Sequence, residues 1–197
     1  FATSEKDKAD YSVISVWAYN NVGDWLWVDG VCKRQLMDKN IDDLFRLAQV
    51  YRPQQVGIEV TGQQGGFIQW IQSEMLTRNI YFPLASEGND TKPGIRPNTN
   101  KLVRFNTMVP LFKARKIFFP QEKKLSPEMA EAMNELGLAA IGGFRSKHDD
   151  FIDTISMLSS LNPWKPSEEA PMQSSSSGMW ELDIDDEPVD RMASYIV

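Results

Sequence analysis

The hydrophobic and polar positions at the start of the chain alternate as they do in β-strands. Residues 11–19 alternate and are rich in β-branched and aromatic side chains, and a second apolar run follows at 25–32. Between them, Asn20-Asn21-Val22-Gly23 has the composition of a turn. The pattern therefore predicts a β-hairpin.

Helical spacing replaces the alternation after the hairpin. Apolar residues from Ile41 to Ala48 recur at helical intervals, and either Asp38 or Asn40 is the predicted N-cap. The helix is expected to end before Arg52-Pro53, because the residue before a proline disfavours the α conformation. The next segment, 55–60, is short and nearly continuously apolar, which predicts a buried central strand that carries Glu59.

The rest of the chain continues with alternating helices and strands. In chain order, the predictions are a helix from Phe67 to Met75, a strand at 80–84, a long loop at 85–100, a helix at 101–114 that Pro110 kinks or interrupts, an edge strand at 117–120, a helix that Ser126 and Pro127 begin, and a last helix that opens at 147–153.

This succession of elements predicts an α/β fold, with a mixed central sheet and helices on both of its faces. The composition changes after Leu161, where Asn162-Pro163 ends the last helix and a Ser-rich, acidic stretch follows. We therefore expect a domain over residues 1–161 and an adaptable C-terminal tail over 162–197.

The last helix opens with three carboxylates on one side. Asp149, Asp150 and Asp153 lie close together on a helical wheel, while Phe151 and Ile155 lie on the opposite, apolar side. Like charges at such spacing repel one another, which favours a divalent cation as their partner. Acidic residues are also common in the first turn of a helix, and for Asp149 alone we favour that explanation. The three together favour a metal site.

Glu59 is the second candidate ligand. An ionised carboxylate in an apolar strand needs a partner, and Gly62, Gly65 and Gly66 would leave open space above the strand. A salt bridge to Lys or Arg is the alternative, which we favour less because no basic residue is near Glu59 in sequence. Asp10 is a third candidate, as either a ligand or a strand-entry residue, and His148 would either activate water or serve as a cap or a hydrogen-bond partner of a ligand.

The charge of the chain is unevenly distributed. The net charge of −6 resides in residues 162–197, which hold eight acids and two bases. Residues 92–124 instead hold nine Lys or Arg and one acid, a composition that suits a polyanionic partner.

Several classes of protein are disfavoured by what the chain lacks. Cys32 is the only cysteine, so an internal disulfide and a Cys-rich zinc site are excluded, which fits a reducing compartment. The sequence has no apolar run of membrane-spanning length, no secretory signal at its start, no Gly-x-Ser-x-Gly elbow and no phosphate-binding P-loop.

Three motifs together resemble the nuclease domain of the large terminase subunit of tailed bacteriophages. They are Lys8-Ala9-Asp10-Tyr11-Ser12-Val13-Ile14, Val56-Gly57-Ile58-Glu59, and Lys147-His148-Asp149-Asp150 with Asp153. The resemblance extends over residues 1 to about 161. It implies an RNase H-like fold and cleavage of concatemeric viral DNA during genome packaging, in the cytoplasm of the host.

The resemblance also implies a catalytic site. The family's second acid corresponds to Glu59 and its third to Asp150, with Asp149 and Asp153 as neighbours able to help. The family's first acid would immediately precede residue 1, so we expect this chain to lack that ligand and most of its first strand. Two Mg²⁺ or Mn²⁺ ions held by carboxylates would neutralise the phosphate and generate the nucleophile.

The expected partners follow from the same resemblance and from the basic residues. Double-stranded DNA would be held by Lys92, Arg96, Lys101, Arg104, Arg145 and Lys147. The portal protein, the small terminase subunit and an N-terminal ATPase domain of the same protein are the implied protein partners, and no membrane is involved. Two alternatives stay open: a DNA-guiding and portal-docking module with secondary or no cutting activity, and a resolvase or transposase of the same superfamily.

Overall fold

The predicted hairpin is confirmed and forms the centre of the main sheet. Strand β1 (Ser12–Tyr19) pairs antiparallel with strand β2 (Trp25–Lys33), with one irregularity in the register between Val16 and Trp17. The turn is closed by Asn20, whose Oδ1 accepts hydrogen bonds from the backbone N–H groups of Val22 and Asp24. Local side-chain chemistry thus fixes this hairpin.

The computed structural model describes residues 11–60, 65–140, 142–166 and 195–196. Asp10, the turn 61–64 and most of the predicted tail lie outside these residues. Within them the chain is mixed α/β, with five α-helices and small sheets. The remaining elements are α1 (Met37–Tyr51), α2 (Gly65–Arg78), β3 (Ser86–Glu87), β4 (Gly94–Ile95), α3 (Lys101–Lys113), β5 (Ile117–Phe118), α4 (Pro127–Gly137), β6 (Ala139–Ala140), β7 (Gly143–Phe144), α5 (Asp150–Met157) and β8 (Tyr195–Ile196).

The main sheet has the strand order β5-β2-β1-β8. β5 is parallel to β2, as its Trp25↔Ile117 register shows, and it lies at the edge as predicted. The short strand β8 pairs antiparallel with β1 at Trp17 and Ala18. The sheet therefore mixes parallel and antiparallel neighbours.

The predicted central strand around Glu59 is extended but forms only single bridges. Val56 bridges to Leu84 and Glu59 bridges to Ile95, both in parallel orientation. The predicted long loop at 85–100 contains the parallel pair β3 and β4. Gly94 is required there, because its φ is +111° and an added Cβ would lie 2.8 Å from Cγ1 of Val60.

The helices match their predicted positions with three corrections. The last helix, α5, begins at Asp150 rather than at Lys147, and Asp149 lies at its N-cap position. Helix α1 begins at Met37 with Leu36 at its N-cap position, so neither Asp38 nor Asn40 is the cap; the Asn40 side chain is fully buried and donates to Oγ of Ser12. Pro110 does not interrupt α3, which continues to Lys113, since a proline three residues before the end removes only one hydrogen bond. Helix α4 begins as predicted, because Oγ of Ser126 accepts from the N–H of Met129.

Two groups of helices pack on the hairpin through separate hydrophobic clusters. One cluster joins Ile14 and Val16 of β1 to α1, to α2 and to the strand residues Ile58 and Val60. The other joins Trp17, together with residues of β2, to α3, α4 and α5. Because side chains alternate along β1, neighbouring residues of one strand contribute to two clusters. None of the described helices is both long and apolar enough to cross a membrane.

Candidate acidic site

Glu59 lies where the extended segment 56–60 meets β4. The backbone N–H of Val60 donates to the carbonyl of Ile95, and the N–H of Ile95 donates to the carbonyl of Ile58, so both neighbours of Glu59 are fixed. Its carboxylate accepts from the guanidinium of Arg104, with 3.2 Å between Nη1 and Oε2. The disfavoured alternative of a salt bridge is therefore what the structure shows: Arg104 is distant in sequence but lies on the adjacent helix α3.

Arg104 also contacts Asp153 of helix α5, at 3.5 Å from Nη2 to Oδ1. Only 14% of the Arg104 side chain is exposed, and its Nε is buried without a hydrogen-bond partner. A single guanidinium thus bridges a carboxylate from the strand and a carboxylate from the last helix. The expected metal shared by Glu59 and Asp150 stays a prediction; the cation that the structure places between Glu59 and α5 is the guanidinium of Arg104, which also contacts Asp153.

Lys101 is a second cation at the same place. Its ammonium lies 2.7 Å from Oδ1 of Asp149 and 2.6 Å from Oδ2 of Asp153. Burial opposes the charged form of Lys101, but the two carboxylates outweigh it and raise the pKa of its ammonium. We call Glu59, Asp149 and Asp153, with Lys101 and Arg104, the acidic cluster.

The pKa of Asp153 is raised. Burial raises its pKa to about 6, and the nearby charge of Glu59 acts in the same direction, while Lys101 and Arg104 lower it. The apolar side of α5 explains the burial, because Phe151, Ile152 and Ile155 are fully packed in the core and hold the acidic side against α3. Burial is therefore the main reason that Asp153 holds its proton more tightly than an exposed aspartate does, and the contacts of the cluster set three carboxylates against two cations.

Asp150 and His148 lie beside Tyr11, near the start of β1. The backbone N–H of Tyr11 donates to Oδ2 of Asp150 at 3.0 Å. Nε2 of His148 is 3.3 Å from Nη2 of Arg34, the rings of His148 and Tyr11 meet edge-on, and Nδ1 of His148 is buried without a partner. Asp150 thus joins the last helix to the beginning of the sheet.

Glu135 is a residue that the sequence analysis missed. Its fully buried carboxylate accepts from the N–H groups of Phe151 and Ile152, at 2.9 and 3.0 Å, and so caps helix α5. Burial, followed by the charge of Asp150, raises the pKa of Glu135 to about 7, although the N–H of Ile152 opposes the shift. The sequence signal for this buried role is an acidic residue at a position of helix α4 that the helical spacing places on the apolar side.

The predicted DNA-contacting residues fall into two groups. Lys101 and Arg104 are engaged with carboxylates in the acidic cluster. Lys92, Arg96, Arg145 and Lys147 are exposed, and none forms an ion pair with another described residue. The second group is therefore available to a polyanion.

The carboxylates offer hard oxygen donors of the kind that Mg²⁺ and Mn²⁺ prefer. Within the described ranges, no group of three or more His, Cys, Asp or Glu side chains has the spacing of a metal site. Asp10 lies outside those ranges. The carboxylate oxygens thus suit a divalent cation. In this structure, Lys101 and Arg104 are the positively charged partners of these carboxylates.

Comparison with known proteins does not assign a family or a function to this site. No protein-family model matches the chain, and no curated protein matches it significantly.

Proposed function

We propose that this chain is the nuclease domain of a viral DNA-packaging enzyme, with an RNase H-like fold, and that it hydrolyses phosphodiester bonds of double-stranded DNA with Mg²⁺ or Mn²⁺. The observation that carries the proposal is the meeting of Glu59 and Asp153 on Arg104. Two acids from distant parts of the chain, on a strand and on the last helix, come together at one place. The motifs that resemble the large terminase subunit hold these same acids.

Glu59, Asp150 and Asp153 would supply the oxygen ligands, and Asp10 is a further candidate. A bound divalent ion would neutralise charge on the phosphate and lower the pKa of a water molecule toward neutrality. The contacts support this assignment, because three carboxylates face only two basic side chains there, and a divalent cation would offset the remaining negative charge. Lys101 and Arg104 offset part of this charge and hold the carboxylates close together.

The exposed cations would bind the DNA backbone. Lys92 and Arg96 follow the strand that carries Glu59, and Arg145 and Lys147 precede the acids of α5. Phosphate contacts position a duplex without reading its sequence, so little sequence preference is expected.

Plasmid cleavage by the full-length protein with Mg²⁺ or Mn²⁺ tests the proposal. Glu59→Gln, Asp150→Asn and Asp153→Asn are each expected to reduce cleavage at least about a hundredfold, since each removes a charged ligand. Glu122→Gln, an exposed acid outside the cluster, is the matched control. Cleavage that persists unchanged in Glu59→Gln and Asp150→Asn would refute the nuclease assignment.

Direct metal binding gives a second readout. Titration calorimetry with Mn²⁺ is expected to show binding to the wild type and to Glu122→Gln, and to lose it in the Glu59→Gln, Asp153→Asn double variant. Equal binding by all of these would place the metal elsewhere.

A DNA-guiding module without cutting activity is the second candidate. It is favoured by the ion pairs themselves, because Lys101 and Arg104 already give Glu59 and Asp153 cationic partners without a metal. It predicts salt-dependent DNA binding, no cleavage with either metal, and a loss of portal binding when residues 162–197 are deleted.

A further inference from the structure

A cavity of about 420 Å³ opens beside the strand that carries Glu59. Val60, the residue after Glu59, lines it together with Ile68, Gln69 and Gln72 of helix α2. The segment that connects β3 to α3 completes the wall with Asn89, Lys92, Pro93 and Arg96. Its volume lies in the range of pockets that take small molecules or single residues of a polymer.

Hydrogen bonds within the segment that bears Lys92 hold its backbone in place. Nδ2 of Asn89 donates to the carbonyls of Lys92 and Pro93, and Oγ of Ser86 donates to the carbonyl of Lys92. The N–H of Arg96 donates to the carbonyl of Glu87. The two cations are therefore presented by a fixed backbone.

The side chains that line the cavity complement the phosphate, base and sugar of a nucleotide. Lys92 and Arg96 form no ion pair with the described acids, so their charges are available to an anion. The amides of Gln69 and Gln72 each offer donors and an acceptor, as the edge of a base requires. Val60 and Ile68 supply the apolar surface against which a base or sugar packs.

A second, smaller cavity lies on the side of the acidic cluster. Its volume is about 240 Å³, and it is lined by Arg96 and by Arg104, the residue that bridges Glu59 and Asp153. Arg96 lines both cavities, so one residue separates the first cavity from the one that Arg104 lines.

We propose that the cavity beside Val60 binds one unpaired nucleotide of a DNA strand, at an end or at a base that has left the duplex, with the phosphate at Lys92 and Arg96 and the base against Gln69, Gln72 and Ile68. This inference rests on the proposed function in taking the strand as DNA. It assigns to this cavity the role of seating the strand next to the site of cleavage.

Fluorescence anisotropy with a labelled oligonucleotide, in EDTA so that no cleavage occurs, measures the binding. The double variant Lys92→Gln, Arg96→Gln is expected to bind at least about tenfold more weakly, with a salt slope lower by about 2. The double variant Lys113→Gln, Lys124→Gln removes the same charge at exposed positions outside the cavity. Equal losses in the two double variants would show only a general effect of charge and would overturn the proposal.

A second variant blocks the cavity without changing charge. Gln72→Trp is expected to weaken oligonucleotide binding at least about fivefold, because the indole would fill the space of the base. Ser73→Trp, on the same helix but outside the lining, is the control for the added ring. Circular dichroism checks that both variants fold, and wild-type affinity in a folded Gln72→Trp would refute entry into the cavity.

Competition distinguishes a nucleotide from a bare phosphate. A deoxynucleoside monophosphate is expected to displace the oligonucleotide at a concentration at least about tenfold below that of inorganic phosphate, and equal potency would overturn the assignment of the base. These binding results are independent of cleavage. If the Glu59 and Asp150 variants still cleave DNA, the proposed function is refuted. If the cavity variants bind the oligonucleotide like the wild type, only the nucleotide site in the cavity is refuted.

Discussion

Replacing the buried Glu135 by glutamine is expected to make the protein more stable above pH 7. The carboxylate of Glu135 accepts from the N–H groups of Phe151 and Ile152, and its other oxygen, Oε1, is buried without a partner. The amide oxygen of Glu135→Gln can accept the same two bonds, so the cap of α5 is retained. What the change removes is the charge that burial penalises.

The magnitude follows from the pKa of Glu135, which is raised from 4.5 to about 7 in the folded protein. Between these values the folded state holds a proton that the unfolded state releases, so the free energy of unfolding falls as the pH rises. The difference corresponds to about 3 kcal/mol as an upper bound. Asp153, raised from 3.8 to about 6, contributes in the same direction at lower pH, but it is common to both proteins and cancels in their difference.

Urea denaturation of the wild type and Glu135→Gln at several pH values from 5 to 8.5, in EDTA, measures this difference. We expect similar stabilities at pH 5 and a gain of about 2–3 kcal/mol for the variant at pH 8.5. Glu122→Gln, at an exposed position, should show no such trend. A difference that stays constant over this range would show that the N-terminus of α5 stabilises the carboxylate of Glu135 fully, and would refute the reasoning.

Three further predictions follow from the described contacts. Arg104→Gln is expected to lose about 1–2 kcal/mol of stability in EDTA, because Glu59 and Asp153 then repel each other. Mn²⁺ is expected to stabilise this variant more than it stabilises the wild type, and a variant that Mn²⁺ does not stabilise at all would contradict metal binding by these carboxylates. Asn40→Ala should cost about 1–3 kcal/mol in urea denaturation, since it breaks a buried hydrogen bond to Ser12 and a partly buried one from Gln35, whereas the exposed Asn106→Ala should be neutral. Burial raises the pKa of the Cys32 thiol to about 12, so little of the reactive thiolate is present at pH 8. A thiol reagent at that pH should label the native protein at least about a hundredfold more slowly than the urea-unfolded chain. Equal labelling rates would contradict this expectation.

Local sequence patterns determined the hairpin and most of the helices. The alternation at 11–19, the turn at Asn20 and the Ser126 cap each depend on groups only a few residues apart, and the structure shows all three. Such features are decided by backbone preferences and short-range hydrogen bonds, which a sequence displays directly.

The neighbours of the acidic residues were decided only by the tertiary structure. The sequence marks Glu59, Asp149, Asp150 and Asp153 as unusual acids, but it does not show that Arg104 bridges two of them or that Glu135 caps α5. Asparagine is a common helix cap, yet Asn40 lies buried within α1, where its side chain donates a hydrogen bond to Oγ of Ser12 in β1. Ion pairs and burial depend on which distant segments the packing brings into contact, and that information is not local to any stretch of the chain.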